Sequence, residues 1–197
     1  ATGEDVDCGG NCLSNFNDIR FTTSNGTTLL DYWIESITGS PGDQLATIWI
    51  EFDSIDDEAT TFYMYYGNAG AAAYSNGADT FDFFDHFLDN PPDSSKWYHW
   101  IDNGSESVSS SIFSITGHAS YNGWGCKQKF GTNYAFRSRV KSSVDGNQSD
   151  TAIFSIDDRS DDGSYVGSGT DSALFHCFKS DNNKKYNPNY TYLQPAE

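Results

Sequence analysis

Positive charge is scarce in this chain: eleven Lys and Arg stand against 28 Asp and Glu, for a formal net charge of −17. A field of that sign repels phosphate backbones and anionic lipid headgroups, which argues against nucleic acid and acidic membrane surfaces as partners. No apolar run is long enough to span a bilayer and no signal peptide opens the sequence, so a mature secreted form or an excised fragment is expected. Long stretches with helical periodicity are missing too, which excludes a helical bundle. Catalytic signatures are equally thin. There is no Gly-x-Ser-x-Gly, no His-Glu-x-x-His and no Cys-x-x-Cys, and the Gly-rich stretch 67–77 lacks the lysine of a P-loop. A retaining glycosidase needs two carboxylates flanking the scissile bond, and no Glu-x-Asp-x-x-Glu string supplies them. His86, His99, His118 and His176 are scattered. The expectation is a protein that is not an enzyme.

What the chain does have is strand-forming material and turns. Apolar residues make up 37% and aromatics 16%, enough for a core, and eighteen glycines supply turns. In residues 17–35, Ser24-Asn25-Gly26 separates two runs rich in Ile, Phe, Thr, Tyr and Trp. Asn-Gly suits the type I′ turn, which takes positive φ at both central positions, and predicts a hairpin. On the incoming arm Ile19 and Phe21 point one way, with Asp18, Arg20 and Thr22 opposite. On the return arm Leu30, Tyr32 and Ile34 share a face against Asp31, Trp33 and Glu35. Residues 45–52 read as a strand with Ala46, Ile48, Ile50 and Phe52 facing the core. Residues 61–66 carry aromatics on both faces and predict a central, covered strand. The stretch 67–77 reads as a short helix at 69–74 or a linker. Further strands are expected at 98–102, 107–116, 134–142, 152–156 and 172–179.

Six of the 28 acids are Glu and the rest Asp, a bias that suits turns and hard-cation ligation. Asp157, Asp158, Asp161 and Asp162, beside Gly163, form the candidate Ca²⁺ site; a solvated loop is the bland alternative, as solubility or salt adaptation is for the charge as a whole. Four cysteines allow three pairings. Cys8 and Cys12 enclose Gly9-Gly10-Asn11 and suit a local bridge, which leaves Cys126 with Cys177, a crosslink worth roughly 4 kcal/mol in the loop-entropy account. Oxidised pairs would imply an extracytoplasmic setting. Four sequons, at Asn25, Asn103, Asn147 and Asn189, are candidate glycosylation sites. Tyr121-Asn-Gly-Trp124 is the most ligand-like aromatic loop, with Tyr121 and Trp124 as candidate carbohydrate-binding residues.

Three strings, Asp18-Ile-Arg-Phe-Thr22, Leu30-Asp-Tyr-Trp-Ile-Glu35 and Thr61-Phe-Tyr-Met-Tyr-Tyr-Gly-Asn68, resemble the DUF2341 family, a domain of unknown function in archaeal, bacterial and some viral surface or secreted proteins. The resemblance covers about residues 8–80. In that family the domain often precedes a concanavalin A-like (laminin G-like) jelly roll. Residues 84–97, ending in Ser-Lys-Trp97, are similar to the opening strand of such a jelly roll, although His86 stands where a second acid is usual. Residues 134–141 resemble one of its inner strands. The resemblance implies an all-β, antiparallel, jelly-roll-like β-sandwich built as two packed β units, 1–79 and 80–197. It also implies a strand before the cysteine loop, for which the seven residues ahead of Cys8 leave no room. Either that strand has been removed or another chain supplies it, and the sheet beside the hairpin is expected to be open to a strand from another subunit. The functional expectation is a non-catalytic extracellular structural or adhesive protein that self-assembles into an appendage, envelope or virion. The alternative is a lectin-like module with glycans as partners.

Overall fold

The computed structural model describes residues 6–55, 59–100, 104–117, 123–128, 130, 134–138, 151–156, 173–178 and 191–192. The chain divides into two compact units, residues 1–86 and 87–197. Both are antiparallel β structures, and the one helix among the described residues is four residues long.

The first unit holds β1 (Arg20–Thr23), β2 (Leu29–Leu30), β3 (Tyr32–Thr38), β4 (Leu45–Ile50), β5 (Phe62–Tyr65) and α1 (Gly77–Thr80). One sheet runs β2-β1-β5 and the other pairs β3 with β4. Between them lies a core of Ile19, Phe21 and Tyr32, against which Leu30, Ile34, Ile48, Ile50 and Met64 pack. The alternation predicted for the hairpin is present: Ile19 and Phe21 face inward on one arm, and Leu30, Tyr32 and Ile34 on the other. Phe21 meets Tyr32 edge-on at 5.3 Å, the geometry that ring quadrupoles favour.

Several expectations for this unit need correction. The turn is not type I′, because Gly26 (φ 75°) has positive φ and Asn25 does not. Gly26 N donates to Thr23 O at 3.0 Å, and the Asn25 carboxamide satisfies the rest of the loop, accepting from the Thr27 and Thr28 N–H groups. The return arm does not stay with its partner. β2 pairs with β1 for two residues, then β3 crosses to the other sheet. The place beside β1 is filled by β5 of the same chain, in the register Phe21↔Met64 and Thr22↔Tyr63, so the hairpin itself has no open slot there. Nor is β5 central. It ends its sheet among the described residues, and Tyr63 and Tyr65 are about half exposed.

Residues 69–74 form no helix. The helix comes later, at α1, capped by Asn76, whose side chain accepts from Ala78 N. Nor does the preceding segment behave as a linker. It is lashed along the free side of β3, with Asn76 N donating to Tyr32 O and Ile34 N to Ser75 Oγ. Beyond it, Phe81, Phe84 and His86 pack on the outer face of the β3–β4 sheet against Trp33, and Phe81 also against Trp49. The division between units accordingly falls after His86.

In the second unit are β6 (Trp97–Trp100), β7 (Gly104–Ser109), β8 (Ile112–Gly117), β9 (Gly123–Cys126), β10 (Thr151–Ile156), β11 (Ala173–Phe178) and β12 (Thr191–Tyr192). They form the ladders β6–β9, β7–β8 and β10-β11-β12. The single strand expected over 107–116 is a hairpin. Ser110 and Ser111 sit at φ 52° and 59° between Ser109 and its partner Ile112. Positive φ at two central residues is the requirement of a type I′ turn, here met by serines. Phe87 stacks on both Trp97 and Phe113, and Val108 N donates to the Asn90 side chain. Residues 134–138 lie outside any strand.

Candidate functional site

The DUF2341-like string Asp18-Ile-Arg-Phe occupies the centre of the first unit. Asp18 points away from the core face as alternation requires, yet it is 2% exposed. Its carboxylate accepts Leu13 N at 3.0 Å through Oδ1 and Gly67 N at 2.7 Å through Oδ2, joining the cysteine loop to the end of β5. Two backbone donors replace the water this charge loses. Arg20 does the same for the opposite sign. Nη1 donates to Asn17 O at 2.9 Å and Nη2 to Ala72 O at 2.6 Å, and the guanidinium lies over the Tyr74 ring. Arg20 is the only Lys or Arg in residues 1–86, which hold fifteen of the 28 acids. The sole cation of the unit is thus turned onto carbonyls and an aromatic face.

Cys8 and Cys12 come together beside Asp18, but as thiols. Cys8, Cys12 and Cys126 are all free, and no disulfide joins the described residues, so neither expected bridge is formed here. The Cys12 thiol is pushed up to about 12, first by burial and then by its hydrogen bond with Cys8, with the charges of Cys8 and Asp18 adding to it. Burial also raises the Cys126 thiol, against a counteracting backbone hydrogen bond from Gln128. The Cys177 side chain lies outside the described residues.

The outer face of the β2-β1-β5 sheet is built from Leu29, Thr22 and Tyr63 in one row and Arg20 and Tyr65 in the next. Tyr65 OH donates to Gly26 O at 3.2 Å although register places Tyr65 opposite Arg20, so its ring runs along β1 toward the hairpin turn. Thr22, on the face opposite Ile19 and Phe21, is 3% exposed and its hydroxyl has no partner. Leu29 (47%), Tyr63 (47%) and Tyr65 (48%) stay open to solvent and form an aromatic and apolar face.

The edge of this sheet follows from the same ladder. Thr23 N donates to Thr28 O, so Thr23 and Phe21 turn their backbone groups toward β2, while Thr22 and Arg20 turn theirs toward β5. Directly opposed antiparallel residues exchange both hydrogen bonds or neither. Tyr63 and Tyr65 therefore bond β1, and Phe62 and Met64 aim N–H and C=O outward from the edge.

Carboxylates also gather around Glu51 in the first unit. Glu51 is raised above the usual range by desolvation and by the nearby charges of Asp31, Asp53, Asp82 and Asp79. No group of three or more His, Cys, Asp or Glu among the described residues is arranged to hold a metal ion. Asp157, Asp158, Asp161 and Asp162 lie outside those residues, as do Tyr121, Asn103, Asn147 and Asn189. Trp124 is in β9 opposite His99, and its side chain is not described. Asn25 is the one sequon asparagine among the described residues, exposed at the tip of the hairpin. The Tyr63–Tyr65 face and the Met64 edge escaped the sequence reading. A strand with aromatics on both faces suggested burial on both, and only the pairing partner reveals an edge.

No curated protein matches the chain, and no solved structure matches it. No helix among the described residues is long and apolar enough to cross a membrane. Residues 15–100, from just after the cysteine loop through β6, match the family model of DUF2341, a domain of unknown function.

Proposed function

We propose that this chain is a non-catalytic extracellular structural or adhesive surface protein, a self-assembling subunit of an appendage, envelope or virion, whose second unit is a concanavalin A-like jelly roll. The observation that supports it is the β5 edge: a short ladder end whose Phe62 and Met64 backbone groups point out of the sheet. Such an edge is a template for a strand from another chain. With Arg20 engaged internally and acids predominating in residues 1–86, a neutral or basic incoming strand fits best.

Hydrogen exchange tests this reading. In dissociated chains the Met64 and Phe62 amides exchange quickly while the Tyr63 and Tyr65 amides are protected; in the assembled state all four are protected. Sedimentation that finds only monomers at high concentration, or assembly that leaves Met64 unprotected, defeats it. A lectin-like role is the second reading, favoured by the exposed Tyr63 and Tyr65 rings, since tyrosine offers a flat apolar body with a polar tip.

A further inference from the structure

We propose that Asn25 carries an N-linked glycan and that its first sugars cover the Leu29–Tyr63–Tyr65 face. This rests on the extracellular placement proposed above, but not on assembly. Asn25-Gly26-Thr27 is an acceptor sequon at an exposed hairpin tip, where a transferase can reach it. The Thr27 hydroxyl lies against the acceptor carboxamide, donating to Asn25 Oδ1 at 3.2 Å. Asn25 Nδ2 donates one hydrogen to Thr28 Oγ1 at 2.8 Å and has a second to give up. In the transfer, the Nδ2–C1 bond forms, the bond from C1 to the phosphate of a lipid-linked oligosaccharide breaks, Nδ2 loses a proton, and the lipid phosphate leaves. Nothing is oxidised or reduced. Oδ1 keeps its bonds to Thr27 N and Thr28 N, so the turn survives modification.

The second observation is what borders that tip. Tyr65 reaches along β1 to Gly26 O, and a Cβ placed on Gly26 would stand 3.2 Å from the Tyr65 hydroxyl. The face of Leu29, Tyr63 and Tyr65 thus begins beside the attachment point. An exposed aromatic patch calls for an occupant. A pyranose offers an apolar C–H face to the rings while its hydroxyls stay in water, and the tether holds it there at high effective concentration.

The test uses the chain purified from the cells that make it. Peptide mapping is expected to find a glycan on Asn25, lost in Thr27→Ala and kept in Thr27→Ser. Nitration by tetranitromethane is expected to spare Tyr63 and Tyr65, and the protection is lost when the glycan is removed enzymatically. Tyr66, which is exposed beyond the end of β5, should react equally in both states. A bare Asn25 overturns the proposal. So does a glycosylated Asn25 whose removal leaves nitration unchanged, or protection that appears only on adding free oligosaccharide. Protection that survives glycan removal and vanishes when copies dissociate would assign the face to a second chain, overturning this inference while favouring assembly.

Discussion

Asp18 Oδ2 accepts the Gly67 backbone N–H at 2.7 Å across 49 residues of sequence, from a side chain that is 2% exposed. Through its other oxygen the same carboxylate holds Leu13. One buried acid therefore fixes both the cysteine loop and the exit of β5. Asp18→Ala is expected to leave two backbone donors without their acceptor and to cost about 2–4 kcal/mol. Asp18→Asn, which keeps one acceptor oxygen, should cost less. Urea titration checks this: the midpoint should fall in that order with little change in slope.

Alkaline pH should weaken the first unit through Cys12. Its thiol is held at about 12 in the fold, against its ordinary value of 9.0. A raised pKa means the folded state keeps a proton that the unfolded chain releases. The associated stability is complete below pH 9 and is lost as pH rises toward 12. Tyr32, raised by burial, with its hydroxyl donating to Ile19 O at 2.9 Å, acts in the same direction above pH 10. Melting temperatures measured from pH 8 upward should fall, and Cys12→Ala should flatten the earlier part of that fall. Native Cys12 should also alkylate slowly at neutral pH, since the thiolate is the nucleophile.

Gly77 opens α1 beneath the Phe84 ring, and a Cβ there would collide with it. Phe84 is held on Trp33 at 4.8 Å and stacked with Phe81, so it has little freedom to move away. Gly77→Ala should therefore destabilise by about 1–3 kcal/mol. Loss of tryptophan near-ultraviolet ellipticity, from the displaced packing around Trp33, is the accompanying signature.

The β7–β8 turn invites the opposite experiment. Ser110 and Ser111 both hold positive φ, which a side chain of their type adopts at a cost. Replacing the pair by Asn-Gly should stabilise the second unit by roughly 0.5–1 kcal/mol. A thermal melt of the double variant that shows no rise would mean that the strain is relieved elsewhere.

The sequence by itself determined whatever depends on period and local chemistry. Two-residue alternation fixed which faces of 19–21, 30–34 and 48–50 make the core, because a one-residue slip would put the whole set in water. The acidic balance and the all-β class were legible for the same reason: they are sums over residues. Tertiary structure decided what depends on distant partners. Asp18 and Thr22 alternate like solvent-facing residues, yet they are buried, because residues 13 and 67 and the tyrosines of β5 come to lie against them. Phe81, Phe84 and His86, which sequence likeness assigned to the second half, lie on Trp33 of the first, because aromatic surface on the β3–β4 sheet had to be covered. The edge status of β5 was decided in the same way. A strand's sequence states its propensity to pair, but the number of neighbours it finally has is settled only by which other segments reach it.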